Sequence, residues 1–309
     1  MIDILITEFM DEAAVADLEC DFSVGFDPTL VEDRQRLMAS GEGVRGLIVR
    51  NRTRVDAALL GEFPDLQAVG RLGVGLDNID LQACRERGIE VLPAQGGNTV
   101  SVVEYVLAGV LMLRRGAYLS TARVVGGEWP RQALMGHESE GAVLGLVGFG
   151  AIAREVARRA RCLGMSVIAH DPFVDARDSA WNEAERAATL EALLPRVDAL
   201  SLHVPLSEAT RHLLGREALA LMKPGSVLIN TARGGVVDEA ALAESLRASH
   251  LGGAMLDVFE QEPLADGSPL AGLEGLIATP HIAGVTHESN QRISWITVDN
   301  LRRALGVMA

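Results

Sequence analysis

The chain has 309 residues, 48% of them hydrophobic, and its 42 acidic against 28 basic side chains leave a formal charge of -14. That length is enough for two cores, since domains run about 100 to 200 residues each, and the negative field argues against nucleic acid or an anionic membrane surface as a partner. Lys223 is the single lysine, which leaves little scope for Schiff-base chemistry. Cys20, Cys84 and Cys162 are odd in number and far apart, so neither a disulfide framework nor a metal site is expected, and a reducing cytoplasm fits.

Residues 1–7 carry no basic stretch and read as a first strand rather than a signal peptide. The longest apolar run, 106–113, is too short to cross a bilayer, which takes about 20 residues, so a soluble protein is expected. Strands are expected at 2–6, 46–49, 68–72 and 89–92, separated by helical stretches such as 30–39 and 81–87. Ser101-Val-Val-Glu104 has capping-box spacing, and Val103, Val106, Leu107, Val110 and Leu111 recur at helical intervals, so a long helix is expected to start there. A second strand series begins at Val143 and continues through 166–169, 199–203, 226–229, 253–256 and 276–278, before a final helix over 287–305. Strands alternating with helices predict an α/β protein with two Rossmann-like doubly wound parallel-sheet domains and a cleft between them.

Gly145-Leu-Val-Gly148-Phe-Gly150-Ala-Ile-Ala153 follows a strand and opens the helical stretch 152–163, the context in which a G-x-G-x-x-A run binds a dinucleotide. Gly148 allows the tight turn, Gly150 lets the backbone approach a pyrophosphate, and the amides around Ala151 and Ile152 lie at a positive helix end. Asp171 lies 21 residues beyond Gly150, after the apolar run Val167-Ile-Ala. An acid there accepts from ribose hydroxyls and repels a 2′-phosphate, which favours NAD over NADP. Arg233, Glu262 and His281 each follow an expected strand, and in open α/β sheets such positions converge on one crevice. Arg233 suits a two-pronged grip on a carboxylate. His281 offers an imidazole suited to proton exchange with an alcohol or carbonyl oxygen. Glu262 suits holding its tautomer and stabilising its charged form. Each taken alone has an ordinary alternative: a surface ion pair for Arg233, a satisfied loop histidine for His281, a solvated turn acid for Glu262.

Together, however, Asn230-Thr-Ala-Arg-Gly-Gly235, Asp257-Val-Phe-Glu-Gln-Glu-Pro263 and Thr279-Pro-His-Ile-Ala-Gly284, in that order, resemble the D-2-hydroxyacid dehydrogenase family. Val49-Arg-Asn-Arg-Thr53, Gly70-Arg-Leu-Gly-Val-Gly-Leu-Asp-Asn78 and Gly96-Gly-Asn-Thr-Val-Ser101 extend the resemblance over nearly the whole chain. Within the family the wording is similar to the phosphoglycerate dehydrogenase branch, without its C-terminal regulatory domain, and to the sulfolactate dehydrogenase branch. The resemblance implies Arg233, Glu262 and His281 as the catalytic set, with Asp257 on the nicotinamide carboxamide. It places Val204, Pro205, Thr231 and Gly284 along the NAD groove, and backbone amides at Val74 and Gly75 on the substrate carboxylate. It also implies a discontinuous, flavodoxin-like substrate-binding domain of residues 1–98 plus 285–309 and an NAD-binding Rossmann domain of residues 99–284; a cleft between two domains would exclude water by closing, and closure about 96–99 and 283–285 is expected. A homodimer helped by an arm containing Trp129-Pro130 is implied too.

Three departures stand out. Ala153 replaces the third glycine, Ala151 stands where many relatives place an arginine, and Gln261 beside Glu262 is an alternative histidine partner. The expected substrate is a small anionic 2-hydroxy acid or its 2-oxo acid. If Arg50 and Arg52, with Asn51 between them, face the site, a second anionic group is favoured, as in 3-phosphoglycerate or sulfolactate. If they are solvated loop cations, glycerate or lactate returns. Two other readings are a hydroxypyruvate or glyoxylate reductase, or a formate dehydrogenase, on the same scaffold, and a non-catalytic NAD-sensing module. No regulatory extension is expected after Ala309.

Overall fold

The computed structural model describes residues 2–307, and the chain divides into two compact units, Met1–Asn98 with Val285–Ala309, and Thr99–Gly284. In the first unit β1 (Ile4–Ile6), β2 (Val24–Phe26), β3 (Gly46–Val49), β4 (Ala68–Arg71) and β5 (Glu90–Pro93) form a parallel sheet in the order β2-β1-β3-β4-β5. Its strands are apolar on both faces because helices cover both, as a parallel sheet requires. Ile4, Ile6 and Ile48 pack with Val298 and Leu301 on one side, while Leu5, Leu47 and Val49 pack with Leu59, Leu60 and Phe63 on the other. Val298 and Leu301 belong to the helix His287–Ala304, which starts at a capping box: Ser289 N donates to Thr286 Oγ1 at 3.0 Å and Thr286 N to Ser289 Oγ at 2.8 Å.

The second unit holds β6 (Val143–Val147), β7 (Ser166–His170), β8 (Glu185–Arg186), β9 (Ala199–Leu202), β10 (Val227–Asn230), β11 (Gly253–Leu256) and β12 (Leu276–Ala278). They run parallel in the order β12-β11-β10-β9-β6-β7-β8, so the chain changes direction of winding between β6 and β9. Leu144, Leu146, Val227 and Ile229 pack with Val103, Val106 and Val110 of the helix Thr99–Arg115 on one face; Val147, Leu200 and Leu228 pack with Leu242 and Leu246 on the other.

The expectation of two parallel-sheet α/β domains holds, and four local differences have physical causes. The helix Thr99–Arg115 begins before Ser101, which is a buried residue inside its first turn rather than a cap. The stretch 30–39 is divided, because the Asp33 carboxylate accepts from Arg36 N at 3.0 Å and caps a separate short helix, Arg34–Met38, after a 3-10 turn at Pro28–Glu32. β2 and β8 carry no strand signal in the sequence. Both are edge strands held by a single neighbour, β2 with a glycine at its centre and β8 with two charged residues.

Candidate active site

The glycine turn lies where the second sheet reverses its winding. Gly148, at φ 84, donates its N–H to His170 O at 2.8 Å. A β-carbon there would stand 2.5 Å from His203 O, so both its conformation and its closeness to β9 require glycine. At Gly150 a β-carbon would meet nothing within 4 Å, and this residue opens the helix Ala151–Cys162 without any side-chain cap. The turn therefore offers open space beside uncapped helix amides and a positive dipole end, which suits a pyrophosphate. Asp171, just beyond β7, accepts from Phe149 N at 2.8 Å and Phe173 N at 2.9 Å. Its carboxylate is thereby fixed against the turn, with lone pairs left for ribose hydroxyls. These residues fit a dinucleotide.

The remaining candidates of this unit follow β9, β10, β11 and β12 at the same carboxyl-terminal end of the sheet. Val204 and Pro205 come two and three residues after β9 ends. Thr231 and Arg233 lie in a turn shaped by Asn230, whose Oδ1 accepts from Ala232 N and whose Nδ2 donates to Arg233 O, each at 3.0 Å. Thr231 Oγ1 is buried without a protein partner. At Gly234 a β-carbon would collide with Phe259 O, so the Arg233 turn lies directly on the loop after β11. That loop carries Glu262, whose Oε1 accepts from Phe259 N at 3.1 Å and whose Oε2 meets His281 Nδ1 at 2.7 Å. Glu262, rather than Gln261, meets the imidazole. An ionised carboxylate only accepts, so the proton of a neutral imidazole sits on Nδ1 and Nε2 keeps a lone pair. His281 itself has φ 55, a left-handed backbone that costs a non-glycine residue about 1–2 kcal/mol.

Asp257, expected beside the carboxamide, is only 1% exposed. Its Oδ1 accepts from Thr279 Oγ1 at 2.5 Å and Ile282 N at 2.8 Å, and its Oδ2 accepts from Ala283 N at 2.8 Å. What the structure gives it is a clamp on the His281 loop, whose last residue is the candidate Gly284. His203, not singled out in the sequence, has Nε2 3.0 Å from Ser201 Oγ, and burial pushes its pKa down to about 4.

In the first unit the candidates again follow strand ends. Arg50 donates through Nη2 to Asn290 Oδ1 at 2.6 Å; burial lowers its pKa while the Glu8 carboxylate opposes that. Asn51 is exposed, and Arg52 pairs with Glu32 at 2.5 Å in solvent. Val74 and Gly75 follow β4 and are half-buried. Sequence reasoning missed Glu8. It is 5% exposed and accepts from Arg50 N at 2.8 Å, Arg52 N at 3.1 Å and Thr53 N at 2.9 Å, so it shapes the whole arginine loop. Its only sequence signal is an acid two residues after the β1 run. Among the described residues no cluster of His, Cys, Asp and Glu fits a metal ion, and no helix is long and apolar enough to cross a membrane.

A parallel sheet with a glycine cradle, an acid fixed against it and an Arg, Glu and His set at one end defines a dinucleotide-dependent α/β protein. A family model described as D-isomer specific 2-hydroxyacid dehydrogenase, NAD binding domain, matches residues 107–283, and the chain belongs to that family. It is an NAD-dependent oxidoreductase acting on the CH–OH group of a hydroxy acid. It is 76% identical to the (S)-sulfolactate dehydrogenase of Chromohalobacter salexigens over 309 residues, the whole of both chains. It is 36% identical over 305 residues to the D-3-phosphoglycerate dehydrogenase of Methanocaldococcus jannaschii, covering 99% of this chain but 58% of that one. Among solved structures it resembles the D-lactate dehydrogenase of Aquifex aeolicus in complex with NAD and lactic acid, with a TM-score of 0.87 and 29% identity over 99% of this chain and 96% of the other.

Proposed function

We propose that the chain oxidises a 2-hydroxy acid with a second anionic group, of the (S)-sulfolactate type, and reduces the corresponding 2-oxo acid in reverse. The Thr99–Gly284 unit holds NAD, and the Met1–Asn98 and Val285–Ala309 unit holds the acid. The observation that carries the reaction is the Glu262 Oε2–His281 Nδ1 pair at 2.7 Å, on the same sheet end as the glycine cradle. Bound NAD supplies the acceptor for the hydride leaving C2. His281 Nε2 takes the hydroxyl proton, Glu262 stabilises the imidazolium that forms, and Arg233 neutralises charge on the C2 oxygen and its carboxylate. In reverse, protonated His281 returns the proton.

The substrate class is supported by the 76% identity over the full length of the sulfolactate enzyme and by stereochemistry. A sulfonomethyl group outranks a carboxylate in the naming rules, whereas a methyl group does not. The S label of sulfolactate therefore denotes the same spatial arrangement as D-lactate, in keeping with a D-specific family. For the tail we assign Arg50, which Glu8 and Asn290 hold in place, over Arg52, which is solvated on Glu32. Val74 and Gly75 amides take the carboxylate.

We further infer a homodimer in a reducing cytoplasm. The segment around residue 130 exposes Trp129 at 76% and Met135 at 82%, apolar side chains that a second copy of the chain would cover. Sedimentation of wild type and Trp129→Glu tests it, a monomer in both overturning it.

The test of function is NADH formation with NAD and a panel of sulfolactate, 3-phosphoglycerate, glycerate and lactate, each in both enantiomers. Turnover of (S)-sulfolactate above the rest supports the reading. Preference for 3-phosphoglycerate or for the acids without a tail overturns its substrate, and no turnover of any acid overturns the reaction.

A further inference from the structure

In the Thr99–Gly284 unit the His281 loop is tied to a distant helix by a chain of partly buried hydrogen bonds that no motif announces. Tyr105, on the helix Thr99–Arg115, places its hydroxyl 2.5 Å from Thr279 Oγ1. Thr279 Oγ1 donates to Asp257 Oδ1 at 2.5 Å, and the same carboxylate takes the N–H groups of Ile282 and Ala283, each at 2.8 Å. The Asp257 carbonyl takes His281 N at 2.9 Å. Every residue from 279 to 283 except Pro280 therefore hangs on Asp257.

The direction of this chain follows from proton counting. An ionised carboxylate has no proton to give, so the single Thr279 hydroxyl proton is committed to Asp257, and Tyr105 must donate to Thr279. Tyr105 can do so throughout the neutral range, because burial pushes its pKa up to about 12. Successive donors in a low-dielectric interior polarise one another, so loss of the outer one weakens the inner one. The loop so held carries His281 at φ 55, a backbone conformation that persists only when its surroundings over-determine it.

We propose that Tyr105 is a positioning residue for the proton transfer. Through Thr279 and Asp257 its hydroxyl holds the left-handed turn at His281, and so keeps the imidazole aligned on Glu262. This rests on the reading of His281 as the acid–base group, and the experiment separates the two.

Tyr105→Phe keeps the ring and removes one hydroxyl. Its kcat is expected to fall about tenfold, the equivalent of about one buried hydrogen bond, with KM for the acid and NADH affinity by fluorescence titration unchanged. Thr279→Val, which removes the inner bond as well, should cost at least as much, Thr279→Ser should keep the wild-type rate, and Tyr105→Phe with Thr279→Val should be no slower than Thr279→Val alone. In a His281→Ala background, Tyr105→Phe should leave the residual rate unchanged, which a general loosening of the fold would not do. Thermal melting identifies any variant that fails to fold, and the Thr279 pair then carries the test. Wild-type kcat in folded Tyr105→Phe, or equal losses with and without His281, would overturn the proposal. Wild-type kcat in His281→Ala would overturn the acid–base reading itself, whatever Tyr105 does.

Discussion

Asp257 and Glu8 sit in different units and do the same mechanical task. Each is a nearly buried carboxylate at the end of a parallel strand, and each takes backbone N–H groups from a loop distant in sequence. They differ in what the loop presents. Asp257 holds the imidazole of His281 on a second acid, Glu262, and its grip extends outward through Thr279 to Tyr105. Glu8 holds two cations, Arg50 and Arg52, and lies close enough to Arg50 to act on its charge. The difference teaches how a chain of net charge -14 can accept an anion. In the first unit an acid is withdrawn into backbone bonds while arginines stand beyond it; in the second, an acid is left to meet a histidine.

Substitutions can break this comparison on either side. The largest effect is expected from His281→Ala, which should lower kcat by about 10² to 10⁴-fold, the usual worth of a positioned acid–base group. NADH should still quench protein fluorescence on binding, and a rate near wild type would show that the imidazole transfers no proton. Next, Asp257→Asn and Glu8→Gln should each destabilise by about 1–3 kcal/mol, because an amide nitrogen then opposes backbone N–H donors. Asp257→Asn should also depress kcat, whereas Glu8→Gln should act on KM for the acid. Chemical denaturation and steady-state kinetics read both, and identical kinetic signatures would erase the distinction between the loops.

Arg50→Ala should raise KM for sulfolactate about tenfold, in the range of a lost charge-assisted hydrogen bond. Arg52→Ala should change it little, as for an exposed ion pair. The reverse order would move the tail site to Arg52. The last effect concerns pH. His203 has a folded pKa of about 4 against an ordinary 6.5, so the unfolded chain takes up a proton that the folded chain refuses between those values. Its contribution is intact above about pH 6.5 and is lost as pH falls toward about 4. His203→Gln should flatten the slope of Tm against pH in that window, and an unchanged slope would exclude His203 as its source.

Much of the second unit was legible because its chemistry is written in short contiguous words. A glycine pair, an acid 21 residues on, and Arg, Glu and His after successive apolar runs all lie at one end of a single sheet. The domain-scale alternation was legible for the same reason, since strands buried on both faces leave near-continuous apolar runs. β2 and β8 were not legible, because an edge strand needs no apolar run to accept hydrogen bonds from one neighbour. Ser101 misled because its spacing to Glu104 imitates a cap, although helical pairing had already begun at Thr99.

By itself, then, the sequence determined the class of sheet, the place of the glycine cradle and the residue types available at the strand ends, because all of these depend on local spacing and side-chain pattern. Only the tertiary structure decided that Glu262 rather than Gln261 meets His281 and that Asp257 faces inward onto a loop. It alone decided, too, that Tyr105 reaches Thr279 and that Glu8 closes on amides 42 to 45 residues away. Those pairings join segments with no shared periodicity. Burial and the need to satisfy every buried polar group select them, and both exist only once the strands have assembled.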